Sequence, residues 1–354
     1  MLWRLRQKRF GSEHPIELVT AFDELPLRER LRRLRRVALE ARDRYAIPGS
    51  ARIRLLNRSE NTTFRIDDPL SGGRWVLRVH RPGYHSRRAI ESELEWLLAL
   101  KADAGIIVPE PRAGRDRALV QTIEVSEVPG PRHCVLFQWV AGRRPRPNRL
   151  TDSFQRLGAL SARLHNHAQG WKRPPGFERF NWDYETTLGR EPRWGRWQDG
   201  PELNAELCEL FARTAARIRT RLEDYGKGAE RYGLIHADLT IFNLLIRENE
   251  TAILDFDDCG FGWYLYDLAA AQTMIENLPE RPFLVAAWIE SYRPIRPLSR
   301  EDEAEILPTF IMLRCLLVLA WLGSHADSPL ARERGPGYAV ATAALAREYL
   351  QRFG

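Results

Sequence analysis

The chain has 354 residues, 44% of them hydrophobic, 10% aromatic and 29% charged, proportions that exclude long disorder and collagen-like repetition. Its 54 basic and 47 acidic side chains give a net charge of +7, which suits anionic ligands. Only Lys8, Lys101, Lys172 and Lys227 are lysine; the other basic residues are arginine. The two are nearly exchangeable for solubility but not at a site that needs one geometry.

A single core rarely grows beyond about 250–300 residues, so the length implies two lobes. Cys134, Cys208, Cys259 and Cys315 are scattered, without a C-x-x-C pair or a Cys/His cluster. That pattern speaks against a zinc module and a disulfide framework, and for a reducing compartment. Met1 to Phe10 alternates basic and apolar residues and lacks the apolar core of a secretory signal.

The elements follow in chain order. Leu27, Leu31, Leu34, Ala38, Ala41 and Tyr45 form a helical stripe, ringed by Arg30, Arg32, Arg33, Arg35 and Arg36. Interleaved Glu29, Glu40 and Asp43, and the lack of an aromatic platform, favour a docked amphipathic helix over a nucleic-acid helix. Strands are predicted near 52–56, 62–66 and 74–79, then a helix over 87–101 with Ile90, Leu94, Leu97 and Leu98 on one face. Strands near 118–123 and 133–140 close a small sheet lobe.

Beyond Ala141 helix dominates: 154–165, 202–225 and most of the chain after Asp267. The segment 171–200 is irregular and rich in aromatics, including Trp171, Phe177, Phe180, Trp182, Tyr184, Trp194 and Trp197. These rings pack under a loop or wall a cationic ligand. The most apolar run, Ile311 to Leu322, is twelve residues long and interrupted by Arg314. A membrane span needs about 20, so this is read as a buried helix and the protein as cytoplasmic. The lobes are 1–139 and 140–354.

The informative stretch is Leu234-Ile-His236-Ala-Asp238, then Asn243-Leu-Leu-Ile246, then Ala252-Ile-Leu-Asp255-Phe-Asp257-Asp258. It reads strand, polar loop, strand, turn, strand, acidic end. Such a hairpin lets Asp238, Asn243 and Asp255 converge. Phosphoryl transfer needs that set: a carboxylate to orient a hydroxyl and accept its proton, and hard oxygen donors for Mg²⁺.

His-x-Asp-x-x-x-x-Asn followed by apolar-apolar-Asp-Phe-Asp resembles the aminoglycoside phosphotransferase and choline kinase superfamily. Gly260-Phe-Gly262, Tyr266-Asp267-Leu268-Ala269 and the helix from Leu157 to His165 agree with it. Arg78-Val-His-Arg-Pro-Gly83 and Trp194-Gly-Arg-Trp197 look more like the branch of stress-response kinase A and homoserine-kinase-like proteins. The resemblance implies an α+β, bilobal protein-kinase-like fold with an antiparallel N-lobe sheet plus helices and a mainly helical C-lobe. It also implies an ATP- and Mg²⁺-dependent phosphotransferase.

By the same resemblance Asp238 is the base, Asn243 and Asp255 hold the metal, and His236 braces the loop. Asp267 anchors the start of the following helix. Ser59 and Asn61 lie in a glycine-free turn over the phosphates, and main-chain groups of Gln138, Trp139 and Val140 face adenine. Arg78 stands where the family carries a lysine, with Glu93 as its partner carboxylate and Glu91 as a rival. The acceptor is a small-molecule hydroxyl: an amino alcohol, aminoglycoside or homoserine-like compound. A protein Ser/Thr acceptor and a non-catalytic nucleotide-binding module are the alternatives; a nucleic-acid partner and a membrane are not expected.

Overall fold

The protein is described by a computed structural model covering residues 22, 24–58, 60–273, 275 and 278–354. Met1 to Phe10 and Ser59 lie outside the described residues. The chain divides into two units, 1–87 with 111–139, and 88–110 with 140–354.

In the first unit, α1 (Leu27–Arg44) precedes an antiparallel sheet of β1 (Arg52–Arg58), β2 (Thr62–Asp67), β3 (Arg74–Val79), β4 (Pro111–Arg112), β5 (Val120–Ile123) and β6 (Arg132–Gln138). The order is β1-β2-β3-β6-β4, with β5 also on β6. Strand β2 alternates, with Thr62, Phe64 and Ile66 buried, as a strand covered on one face must. Its apolar face meets Val37, Ala38 and Ala41 of α1 in one core with Leu77, Val79 and Leu136. The helix therefore docks by its stripe, although Leu27 at its start is exposed. Arg32 and Arg33 pair with Glu29, and Arg36 with Glu127, so part of the basic face is neutralised locally.

The second unit starts with nearly all of α2 (Arg87–Ala104), whereas the sequence reading assigned 88–110 to the first lobe. Packing gives the reason. Trp96 meets Phe256 edge to face at 5.5 Å and donates to His167 Nδ1 at 3.3 Å. Arg163 donates to Ala104 O at 2.6 Å, and Ile107 bridges to Ala252.

Helix α3 (Leu150–Gly170) follows, then β7 (Asn181–Trp182), the single turn α4 (Tyr184–Thr187) and α5 (Ala205–Tyr225). Asn204 caps α5, accepting from Leu207 N at 2.9 Å. Next come β8 (Tyr232–Ile235), β9 (Leu244–Arg247), β10 (Glu250–Ile253) and β11 (Gly260–Trp263). Of these four, β9 and β10 form a hairpin; β8 pairs with β11, which also holds β7. The loop 236–243 therefore passes from one small sheet to another.

Helices α6 (Tyr264–Ala271), α7 (Arg281–Tyr292), α8 (Leu307–Ser324), α9 (Pro329–Arg334) and α10 (Tyr338–Phe353) complete the unit. The stretch 302–324, containing α8, is long and apolar enough to cross a membrane, but most of it is buried inside this chain. Leu313, Leu316, Leu317 and Leu319 pack there with Trp263, Tyr266 and Phe310. Helices α3 and α7 meet nearly backbone to backbone at Gly158, where a Cβ would stand 2.1 Å from Trp288 O.

Candidate active site

Strand β8 delivers the chain into a loop whose second residue, Ala237, has φ +67°. A non-glycine residue rarely adopts that conformation unless its surroundings hold it. The hold is visible. Asp267, fully buried on α6, accepts from His236 N at 3.2 Å and from Ala237 N at 2.8 Å. It also accepts from His165 Nε2 at 3.0 Å. The sequence reading had Asp267 anchoring its own helix; the carboxylate instead fastens the loop that presents Asp238.

Burial holds the His165 imidazole below its ordinary pKa, and Asp267 pulls the other way. Neutral His165 donates from Nε2 to Asp267, and its Nδ1 accepts from the Tyr292 hydroxyl at 3.0 Å. His236 is buried as well. Its Nδ1 accepts from Asp238 N at 3.3 Å, so Nε2 carries the proton donated to Leu254 O at 3.0 Å. His236 thereby ties the loop to the residue before Asp255.

Asp238 stands at the loop's centre, with its side chain 29% exposed. One carboxylate oxygen takes a guanidinium N–H of Arg314 at 2.6 Å. The other takes the Asn243 amide at 3.1 Å, which also donates to Asp238 O at 2.8 Å. With Asn243 Nδ2 turned to Asp238, its Oδ1 accepts no hydrogen bond among the described residues. Leu254 N donates to Asn243 O at 2.8 Å, so Asn243 and the strand end bearing Asp255 lie side by side. Asp255 has φ +60°.

An amide oxygen beside a carboxylate is a hard-oxygen donor pair and suits Mg²⁺. Among the described residues no group of three His, Cys, Asp or Glu side chains could hold a metal alone. A cation held by Asn243 and Asp255 would complete its shell with phosphate oxygens and water.

Arg179 secures the following loop. Buried, it donates to Cys259 O at 2.6 Å, to Ala89 O at 3.0 Å and to Asp257 O. The three carbonyls join α2 to the segment 255–259. Trp182 Nε1 donates to Asp258 O at 2.7 Å.

The remaining candidates divide between the units. In the first, Arg78 lies buried on β3, its guanidinium 4.9 Å from the Phe137 ring. Asn61 Oδ1 accepts from Arg81 N at 3.1 Å, bracing the β1–β2 turn against the end of β3. Trp139 N donates to Arg74 O at 3.2 Å, so that donor is already occupied within the sheet. The guanidiniums of Arg65 and Arg74 lie 5.0 and 5.3 Å from its ring. Gln138 also reaches Arg74 O through its side chain, at 3.2 Å. In the second unit Glu93 is fully buried on α2, and Glu91 is 3.8 Å from Arg88.

The aromatic segment is mainly core. Trp182, Trp194 and Trp197 are buried, and several ring faces are already covered by cations of this chain. Arg314 lies 4.9 Å over Trp194 and Arg193 lies 3.6 Å over Phe180. Three residues of this neighbourhood escaped the sequence reading in their roles: Arg314, Arg179 and His165. Arg314 carried a signal, because a charge inside an apolar helix needs a partner.

Residues 52–303 match the family described as the phosphotransferase enzyme family, APH. The chain belongs to that family. This phosphotransferase is similar to a microcompartment-associated aminopropanol kinase of known structure, at 43% identity and a TM-score of 0.82, over 90% of this chain and 98% of that one. It is similar to amicoumacin kinase of Bacillus subtilis, 24% identical over 82% of this chain and 85% of the relative. A structure of amicoumacin kinase hAmiN in complex with AMP-PNP and Ca²⁺ shares the fold, at 21% identity and a TM-score of 0.73, over 90% of this chain and 93% of that one. The phosphotransferase thus has the protein-kinase-like α+β fold, and it is an enzyme that transfers phosphate to hydroxyl groups.

Proposed function

We propose that this phosphotransferase moves the γ-phosphate of ATP, with Mg²⁺, to the hydroxyl of a small amino alcohol. The observation that carries this is the loop 236–243. A partly exposed carboxylate is oriented by a guanidinium and an amide, and the backbone of Asn243 is bonded to Leu254, the residue before Asp255. The 43% identity to an aminopropanol kinase supports the acceptor class.

ATP and Mg²⁺ would supply the phosphoryl group and neutralise its charge. Asp238 accepts a hydrogen bond from the acceptor hydroxyl, fixes its lone pair toward phosphorus and takes its proton late. Asn243 and Asp255 would hold the cation through oxygen. His236 and Asp267 keep the loop backbone in place. Arg78 is our candidate for the cation that contacts phosphates, supported by its burial on β3 and by the place of that strand in the family. Cysteines that form no disulfide among the described residues accord with a cytoplasmic setting.

The test is transfer of labelled phosphate from ATP to a panel: 1-amino-2-propanol, ethanolamine, choline, homoserine, an aminoglycoside and a Ser/Thr peptide. Amino alcohols should be the best substrates, and Asp238→Ala should reduce turnover at least about 10³-fold. Nucleotide binding without transfer above the Asp238→Ala level would leave only a nucleotide-binding module. Preference for the peptide would make the enzyme a protein kinase.

A further inference from the structure

Arg314 sits in the middle of α8 among buried leucines and is itself buried. A guanidinium there loses its hydration, a cost that an aliphatic side chain of similar volume would avoid. Its donors are distributed over two places. Nε reaches Thr273 Oγ1 at 2.8 Å, and one terminal nitrogen reaches the Tyr266 hydroxyl at 3.1 Å and Ala237 O at 3.3 Å. The other meets Asp238 Oδ1 at 2.6 Å, and the guanidinium lies over Trp194. The contacts with Thr273, Tyr266 and Trp194 fix the fork, and the contacts with Ala237 and Asp238 apply it to the functional loop.

We propose that Arg314 is a positioning residue for Asp238: held by α6 and Trp194, it sets the plane of the carboxylate against the acceptor hydroxyl. An aspartate carboxylate turns broadly about its last torsion unless something holds it. Arg314 takes one lone pair of Oδ1 and Asn243 one of Oδ2, so both oxygens keep a lone pair for the acceptor in one fixed plane. A point charge at this place would attract Asp238 without setting that plane.

This inference rests on the kinase reading, and the test separates the two. Wild type, Arg314→Met, Arg314→Lys, Arg314→Ala, Asp238→Asn and Arg314→Met/Asp238→Asn are assayed with ATP and the best acceptor of the panel. Arg314→Met should lower kcat about 100-fold, as expected for a misplaced reacting group, and leave KM for ATP within about threefold. Arg314→Lys should recover only part of the loss. Methylguanidinium in the buffer should raise the turnover of Arg314→Ala. In the Asp238→Asn background Arg314→Met should cost less than about threefold, because the two act as one unit. Arg314→Lys, which keeps the charge, serves if Arg314→Met fails to fold. Full activity in Arg314→Met or Arg314→Lys, or equal losses with and without Asp238, would overturn the inference alone. A wild type that phosphorylates none of the acceptors would overturn the kinase reading and this inference with it.

Discussion

Asp267→Asn is nearly isosteric, so it isolates the charge that fastens the loop. The native carboxylate accepts from Ala237 N on one oxygen, and from His236 N and His165 Nε2 on the other. An amide has one acceptor oxygen. Turned toward His236 and His165 it forfeits the Ala237 bond and sets two donors face to face; turned the other way it forfeits two bonds. The better orientation loses one charge-assisted bond and strands a buried N–H, a loss of about 2–4 kcal/mol. The melting temperature should fall roughly 3–5 °C. With Ala237 no longer held at φ +67°, Asp238 drifts, and kcat should fall about 10- to 100-fold while KM for ATP changes little. Thermal unfolding and steady-state kinetics on one preparation check both. A melting temperature unchanged within about 1 °C, or kcat within about twofold, would refute the role given to Asp267.

Other outcomes follow from the same contacts. His165 is buried neutral with a lowered pKa, while the unfolded chain takes up a proton near pH 6.5. Stability should therefore fall as pH drops through about 6.5, by up to about 1.4 kcal/mol per unit, and His165→Gln should flatten that limb in urea titrations at pH 7.5 and 5.5. Arg179→Met removes one donor from each of three buried carbonyls, so it should lose about 2–4 kcal/mol, read by urea unfolding, and should raise the divalent-cation requirement because the segment 255–259 loosens. Gly158→Ala improves helix propensity by about 1 kcal/mol yet should destabilise by about 1–3 kcal/mol net, because the new methyl meets the Trp288 carbonyl; differential scanning calorimetry reads the sign.

Much of this was legible in the chain itself. The strand read near 62–66 is Thr62–Asp67, and the loop between apolar runs, 236–243, brings Asp238 and Asn243 within reach of each other. The short strands Asn181–Trp182 and Gly260–Trp263 were not legible: two to four residues with glycines carry no period, and their pairing is set by distant partners. Arg314 and Arg179 were visible as charges, but what they satisfy are groups far along the chain, at 237–238 and at 89 and 257–259. The same holds for Asp267, whose partners precede it by thirty residues or more. Helix 88–104 went to the other unit because Trp96 and Ala104 find partners near 256, 167 and 163.

Several internal ties of this enzyme are guanidiniums, and its amines are few. Lys101, Lys172 and Lys227 are all exposed. Arg179 and Arg314, which tie loops and helices together, lie buried. Amine-directed chemistry, whether cellular acetylation or coupling to a resin through active esters, therefore meets no buried tie of this fold. Immobilisation through lysine should leave the Asp238–Arg314 pair untouched, whereas an arginine-directed dicarbonyl would find exposed guanidiniums throughout the surface.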